Sequence, residues 1–193
     1  MKTDIILAGV GGQGILSIAA TVGTAAVNNN LYLKQAEVHG MSQRGGAVQS
    51  HLRVSDKEIA SDLIPVGLAD IILSVEPMEA LRYLPYLKKG SYVVTSVSPY
   101  INIPDYPSID EIMSRIKQLP NYIAIDADKI AEEIGSPRSS NIVMLGAASP
   151  FIDIPFSELE KALSQIFGNK GEEVVELNLK ALRAGREFAE KNK

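Results

Sequence analysis

The sequence has no cysteine and only two histidines among its 193 residues. Without cysteine it can form no disulfide, no thiolate nucleophile, no cysteine-bound zinc site and no ordinary iron–sulfur cluster. With so few histidines we expect no catalytic metal site, and no G-x-S-x-G motif is present to indicate a hydrolase. Any electron-transfer role must therefore place its metal centres on another chain.

Long apolar runs and an excess of positive charge are also missing. No apolar run approaches the ~18–20 residues that span a bilayer, and residues 1–4 lead directly into a strand-like run, which leaves no room for a signal peptide. The net charge of −4 argues against nucleic acid as the main partner. We therefore expect a cytoplasmic protein with no membrane or nucleic-acid partner, built as one domain over residues 1–193.

Strand-like and helix-like patterns alternate along the chain. Strands are predicted over residues 4–9, 31–36, 47–55, 70–75, 91–96 and 122–126. Helices are predicted over residues 15–30, 77–85, 126–135 and 139–148, and Gly90 is expected to close the segment that contains the second of them. Two more helices are predicted: one begins at a capping box formed by Ser157 and Glu160, and the other begins at about residue 172. This order predicts the α/β class: a single Rossmann-like three-layer domain with a mostly parallel sheet and a helical C-terminal third.

The stretch GVGGQG, residues 9–14, matches G-x-G-x-x-G between a predicted strand and a predicted helix. Glycines allow a tight turn there, and they let backbone N–H groups approach an anion at the start of the helix. We expect the turn to bind a phosphate or another anion through four residues: Gly11, Gly12, Gln13 and Gly14. The alternative is that the glycines only allow the strand and the helix to pack closely.

The stretch AEVHGMSQRGGAV, residues 36–48, is too polar for a core strand and too rich in glycine for a helix. Glu37 lies where a dinucleotide-binding fold places its ribose-binding acid, about 20 residues beyond the glycines, so NAD binding stays open. The other candidates in this loop are His39, Gly40, Ser42, Gln43, Arg44 and Gly45. Its donors would bind a phosphate, a carboxylate or an acidic partner surface; the alternative is a solvated loop without a ligand.

Glu76 follows the strand predicted over residues 70–75. Ligands of open α/β sheets bind beyond the carboxyl ends of the strands, so we expect Glu76, the glycines and the loop to gather at one edge. Glu76 is either a general base or the cap of a helix that starts at Pro77, and we favour the cap. His51, inside an alternating strand, is expected to be structural.

Two segments together, GVGGQGI and EVHGMSQRGGAVQSHLR, resemble a known family. It is the small, gamma-type subunit of the thiamine-diphosphate-dependent 2-oxoacid:ferredoxin oxidoreductases. ADIILSVEPMEALRYLPYLKKG and NIVMLGA are similar to other segments of this family, so the resemblance covers nearly the whole chain. The HGMSQRGG form is most similar to that of the members that act on indolepyruvate.

The resemblance implies oxidative decarboxylation of an arylpyruvate, with coenzyme A as co-substrate and ferredoxin as electron acceptor. It places thiamine diphosphate and iron–sulfur clusters of the 4Fe-4S type on a large (alpha) subunit, through which ferredoxin is reduced. The chain alone is then expected to bind no cofactor and to be inactive, which agrees with the absence of cysteine. The residues named above, from Gly11 to Glu76, become candidates for facing coenzyme A or the large subunit.

Two further interpretations stay open. The first is a stand-alone Rossmann-type NAD-binding dehydrogenase or regulatory module, although the sequence shows neither a substrate domain nor a catalytic histidine–acid pair. The second is a scaffold subunit whose glycine turn binds nothing.

Overall fold

A six-stranded mixed sheet organises the chain, and this computed structural model describes residues 1–39 and 45–193. The strands are β1 (Lys2–Val10), β2 (Tyr32–His39), β3 (Ala47–Ser55), β4 (Ala69–Ser74), β5 (Leu87–Ser96) and β6 (Tyr122–Ile125). Within the described residues the α-helices are α1 (Ile15–Asn28), α2 (Pro77–Arg82), α3 (Ile109–Ile116), α4 (Ala127–Glu133), α5 (Ser140–Ala148), α6 (Phe156–Phe167) and α7 (Glu172–Asn192). Across these ranges, no helix is both long enough and apolar enough to cross a bilayer.

The strands lie in the order β2-β3-β1-β4-β5-β6. The pairs β1–β4, β4–β5 and β5–β6 are parallel, whereas β3 is antiparallel to both β1 and β2. The reversal of β3 follows from chain length, because residues 40–46 are too few for the crossover of a dozen or more residues that a parallel pair needs. The predicted α/β class is confirmed, with the parallel pairing confined to four of the six strands.

Apolar side chains of the central strands point alternately to two helical layers. Ile5 and Leu7 of β1 join the larger core cluster, which includes residues of α1 and of α4 to α7. Ile6, between them, joins a smaller cluster with Ile72 and Ala80 on the face that α2 covers. All three β1 side chains are at most 1% exposed, and each contributes about 1.5–3 kcal/mol by leaving water. The predicted three layers and helical C-terminal third are therefore present.

Helices α5 and α7 touch through their backbones at Gly146 and Gly185. A Cβ atom at Gly146 would lie 2.0 Å from the carbonyl oxygen of Leu182, and one at Gly185 would lie 1.9 Å from that of Val143. Any larger residue at either position would push the helices apart. This contact fixes α5 against the long C-terminal helix.

The amino end of the sequence lies at the edge where the parallel strands begin. Met1 precedes β1, and its amino group forms an ion pair with Asp56 at 2.8 Å. Asn192 and Lys193, at the end of α7, line a cleft together with Tyr122, the first residue of β6.

The structure corrects three local predictions. Helix α3 was not predicted; it begins after Ser108, whose hydroxyl accepts a hydrogen bond from the backbone N–H of Glu111 at 3.3 Å. The predicted capping box is wrong, because α6 begins at Phe156 and has no side-chain cap. Its Glu160 instead accepts a hydrogen bond from Nε of Arg183 at 2.6 Å. Gly90 closes no segment: it lies inside β5 with φ of 86°, a conformation that glycine adopts without strain.

His51 of β3 has the structural role predicted for it. It is 4% exposed, its Nδ1 accepts a hydrogen bond from the backbone N–H of Ile64 at 2.9 Å, and its Nε2 lies 2.8 Å from the side-chain amide of Gln49. Burial, with a smaller contribution from Arg53, lowers the pKa of His51 below the ordinary value of 6.5. The folded protein therefore holds this imidazole neutral.

We predict that His51 makes the folded state less stable in mild acid. Below pH 6.5 the unfolded chain binds a proton that the folded chain resists, so the free energy of unfolding should fall between pH 7.5 and 5.5. Urea unfolding across this range tests the effect, with His51→Gln as the comparison because glutamine keeps an acceptor for Ile64 but does not titrate. The same pH dependence in both proteins would contradict the prediction.

Candidate functional site

The candidate residues gather at the edge where the parallel strands end. Strands β1, β4 and β5 end there at Val10, Ser74 and Ser96. Strand β2 also ends there, because β2 and β1 are both antiparallel to β3. We call this the glycine edge, and residues 10–14 the glycine turn. The strand order thus brings together segments that are far apart in the sequence.

The side chain of Gln13 closes the glycine turn. Its Oε1 accepts a hydrogen bond from the backbone N–H of Val10 at 2.8 Å, and its Nε2 donates to the carbonyl oxygen of Val75 at 3.4 Å. The backbone N–H of Gln13 also donates to the carbonyl oxygen of Val10 at 3.1 Å. Gln13 was predicted to contribute to an anion site. Its side-chain amide joins the ends of β1 and β4.

Gly14 leads into α1 in a left-handed conformation, with φ of 79° and ψ of 23°. A Cβ atom at Gly14 would lie 2.5 Å from Nδ2 of Asn141, which donates a hydrogen bond to the carbonyl oxygen of Gly14 at 3.0 Å. Both the backbone conformation and the approach of α5 therefore require glycine here. Helix α1 starts without a side-chain cap and without an acidic residue in its first turn.

Backbone hydrogen bonds join the glycine turn to the residues just before β3. The N–H of Gly11 donates to the carbonyl oxygen of Gly46 at 2.8 Å, and the N–H of Gly45 donates to that of Gly11 at 3.2 Å. These bonds extend the antiparallel β1–β3 pairing beyond Val10. Gly11 and Gly45, both sequence candidates, are therefore in direct contact.

A cleft of about 450 Å³ opens beside the turn. Its lining includes Gly11, Gly12, Gly14, Leu16 and Glu37. The Oε2 atom of Glu37 is buried and has no hydrogen-bond partner among the described residues. A buried carboxylate oxygen is an acceptor, so a hydroxyl, an ammonium or a guanidinium group would have to reach this atom to satisfy it.

A second cleft, of about 680 Å³, lies on the other side of Gly12 and Gly14. Serine residues around the start of α5 line it, together with Asn141, Arg138 and Lys170. Among the described lining residues the two clefts therefore differ in charge, with a carboxylate in the first and two cations in the second. On electrostatic grounds the second is the better environment for a phosphate.

Glu76 lies behind the glycine edge and is 0% exposed. Its Oε2 accepts a hydrogen bond from the backbone N–H of Glu79 at 2.8 Å, which makes Glu76 the N-cap of α2, as favoured from the sequence. Its Oε1 accepts from the hydroxyl of Tyr106 and from the backbone N–H of Tyr100, the latter at 3.4 Å. Glu76 therefore does not reach the surface as a partner-facing side chain.

The titratable groups around Glu76 reflect this burial. Burial and the hydrogen bond to Glu76 raise the pKa of Tyr106, so the phenol keeps its proton. Burial also raises the pKa of Glu79, against the opposing effect of Arg82, whose Nε lies 3.0 Å from that carboxylate. The cluster is thus built around one proton donor, Tyr106, and two carboxylates.

Four of the predicted site residues, Gly40, Ser42, Gln43 and Arg44, lie outside the described residues. His39 is the last residue of β2, and its backbone pairs with Val48. Within residues 1–39 and 45–193, no three histidine, aspartate or glutamate side chains come together in a way that could hold a metal ion.

The model of one protein family matches residues 4–188, and the family is described as pyruvate ferredoxin/flavodoxin oxidoreductase. The chain belongs to this family. The chain is 37% identical, over 96% of its length and 94% of the relative, to indolepyruvate oxidoreductase subunit IorB of Archaeoglobus fulgidus. It is 30% identical, over 97% of each chain, to 2-oxoglutarate synthase subunit KorC of Methanothermobacter marburgensis.

Solved structures of the pyruvate ferredoxin/flavodoxin oxidoreductase type share the fold. The 2-oxoglutarate:ferredoxin oxidoreductase of Magnetococcus marinus matches with a TM-score of 0.77 and 26% identity, covering 98% of this chain and 31% of that chain. A keto/oxoacid ferredoxin oxidoreductase gamma subunit of Geobacter sulfurreducens matches with a TM-score of 0.71 and 25% identity, over 98% of this chain and 99% of that one. The predicted resemblance to an oxidoreductase subunit is confirmed.

Several residues of the site in this family member could not be recognised from the sequence. Asn141 contacts Gly14, which is 127 positions away in the sequence. The one feature that could have drawn attention to Asn141 was its place in the segment NIVMLGA, which resembles the family. Tyr106 and Asn102 carry no motif, yet Tyr106 binds Glu76 and the side-chain amide of Asn102 donates to the carbonyl oxygen of Gly45. The sequence identified the glycines themselves and missed the side chains that hold them.

We predict that Gly14→Ala destabilises the protein more than Gly135→Ala. Both glycines have positive φ, 79° and 84°, so each alanine should cost about 1–2 kcal/mol of backbone strain. Only at Gly14 would the new Cβ meet Asn141, since nothing lies within 4 Å of the Cβ position at Gly135. Denaturant unfolding measures the two losses, and equal losses would show that the approach of α5 does not matter.

Proposed function

We propose that this chain is the small subunit of a thiamine-diphosphate-dependent 2-oxoacid:ferredoxin oxidoreductase that acts on indolepyruvate or a related arylpyruvate. The bond between the carboxylate carbon and the 2-oxo carbon breaks, the carboxylate leaves as carbon dioxide, and the acyl group passes to the thiol of coenzyme A. The thiol releases its proton to solvent, and the electron pair of the broken bond goes to ferredoxin, one electron at a time. The observation that carries the proposal is the 37% identity to an indolepyruvate oxidoreductase subunit over 96% of the chain.

The composition supports a division of labour between two chains. A chain without cysteine offers no thiolate ligand for an iron–sulfur cluster. In our proposal the clusters and thiamine diphosphate belong to a large subunit, which supplies the decarboxylation and electron-transfer chemistry and meets ferredoxin. The chain described here shapes the surroundings of that centre and is inactive by itself.

Exposed apolar side chains at the glycine edge support a protein partner there. Five of the large apolar side chains that are more than 40% exposed lie at the start of α1, near the end of β2 and in the segment after β5: Leu16, Val38, Tyr100, Ile101 and Ile103. Others lie elsewhere, including Leu63, Val66 and Leu68 before β4. Grouped exposed apolar residues with a polar surround are typical of protein interfaces. We propose that the large subunit covers the five at the glycine edge together with the glycine turn.

The chemistry of the two clefts indicates how coenzyme A would be received. Its phosphates suit the cleft that holds Arg138 and Lys170 better than the one that holds Glu37. A phosphate on the Glu37 side would need a cation to neutralise that carboxylate. The loop between β2 and β3 contains one cation in its sequence, Arg44. We therefore propose that Arg44 binds a phosphate or a carboxylate on the Glu37 side, at the mouth of the active site of the large subunit.

One observation favours a second candidate, an NAD-binding module. Glu37 lines the same cleft as the glycines, as the ribose-binding acid of a dinucleotide site does. Calorimetric titration of the purified chain with NAD and NADH tests this alternative. Binding at micromolar concentrations would support it, whereas no heat of binding is expected under our proposal.

Reconstitution tests the proposed function directly. The chain should form a stable complex with a large thiamine-binding subunit, and the pair should reduce ferredoxin with indolepyruvate and coenzyme A. Phenylpyruvate should be used nearly as well and pyruvate poorly. Turnover by the chain alone would contradict the proposal, and so would a failure to form an active pair or a preference for pyruvate.

We predict that Arg44→Ala weakens the binding of coenzyme A or of the large subunit. Loss of one charge-assisted contact of about 1.5–3 kcal/mol should raise the KM for coenzyme A, or the Kd for the large subunit, by at least tenfold. Arg115→Ala is the matched control, because Arg115 is exposed on α3 and contacts only Glu111 among the described ion pairs. Unchanged kinetics and unchanged subunit affinity in Arg44→Ala would eliminate this role.

A further inference from the structure

Residues 97–107, which connect β5 to the region before α3, run across the glycine edge, and we call them the strap. The strap has no regular secondary structure and contains three prolines, Pro99, Pro104 and Pro107. Each proline restricts its own backbone and that of the preceding residue, so the strap has fewer conformations than an ordinary connection of this length. Its position must then be set by a small number of contacts.

One buried carboxylate supplies contacts at two points of the strap. Oε1 of Glu76 accepts hydrogen bonds from the hydroxyl of Tyr106 and the backbone N–H of Tyr100. Its other oxygen caps α2, which fixes the carboxylate relative to the sheet. A fully buried acceptor that loses a donor is costly, so these contacts hold strongly.

The middle of the strap reaches Gly45, the neighbour of the glycine turn, through Asn102. Its side-chain amide donates to the carbonyl oxygen of Gly45, whose own N–H donates to Gly11 at 3.2 Å. A continuous series of hydrogen bonds therefore runs from Glu76 through the strap to Gly45 and Gly11. The side chains of Tyr100 and Ile101, at 43% and 71% exposure, lie on the outer surface of the same segment.

We propose that Glu76 is a positioning residue, which holds the strap in place so that Asn102 fixes Gly45 against the glycine turn. Glu76 touches neither substrate nor cofactor; it acts through Tyr106, Tyr100 and Asn102. The structural part of this proposal concerns the chain alone. Its consequence for the enzyme, that the strap and the turn form one preformed surface for the large subunit and coenzyme A, rests on the proposed function.

Hydrogen exchange of the intact chain tests the structural part. Asn102→Ala removes the contact with Gly45, and Tyr106→Phe removes one hydroxyl that binds Glu76; both leave the cap of α2 in place. Each variant should speed amide exchange at Gly45 and Gly11 by about fivefold, the factor that corresponds to one hydrogen bond of ~1 kcal/mol.

Two matched controls separate this effect from a general loss of stability. Asn121 is a partly exposed asparagine whose amide likewise donates to a glycine carbonyl, that of Gly90 at 2.9 Å. Tyr32 is an exposed tyrosine at the start of β2. Asn121→Ala and Tyr32→Phe should leave exchange at Gly45 and Gly11 unchanged. Equal exchange in variants and controls would overturn the proposal.

Kinetics of the reconstituted pair test the consequence for the enzyme. Asn102→Ala and Tyr106→Phe should raise the KM for coenzyme A or the Kd for the large subunit by about fivefold, with kcat within about twofold of wild type, because the chemistry is assigned to the other chain. A fall in kcat alone, or no change, would overturn the functional role. If the wild-type pair itself neither assembles nor turns over, the proposed function fails while the exchange result stands on its own.

Discussion

The antiparallel pairing of β1 with β3 continues past the end of β1 into the glycine turn, and the arrangement of the whole edge depends on this continuation. Gly11 exchanges backbone hydrogen bonds with Gly45 and Gly46, so the turn is joined to the residues just before β3. Gln13 then ties the turn to β4, and Asn141 ties it to α5. The glycines of the turn allow three polypeptide segments to pass close to one another.

The sequence predicted what local patterns encode. Alternating apolar and polar residues identified β3 with both of its ends, and the apolar spacing identified α1. The alternating order of strands and helices identified the fold class. Helix α3 escaped prediction because its core contact is limited to Ile112 and Ile116, a stripe too short to stand out. The contacts of Gly14 and Glu76 escaped because each joins segments that are distant in sequence, and nothing in the local pattern of Asn141 or Tyr106 specifies the partner.

The candidate site also shows how a buried carboxylate can anchor surface segments without reaching the surface itself. Glu76 follows a strand at the edge where α/β proteins bind ligands, which made it a candidate for chemistry. Its carboxylate is instead saturated with donors from α2 and from the strap. A residue of this kind shapes the surface through the segments it anchors, and proline restriction makes that anchoring effective over a long connection.

The placement of the amino end has a consequence for how this fold is used. Met1 lies where the parallel strands begin, at the opposite edge of the sheet from the glycine turn. Additional polypeptide joined there would leave the face proposed for recognition uncovered. The same architecture is thus suited to be either a separate polypeptide or one module of a larger one, and the Magnetococcus marinus chain, in which the matching part is 31% of the length, is an example of the latter.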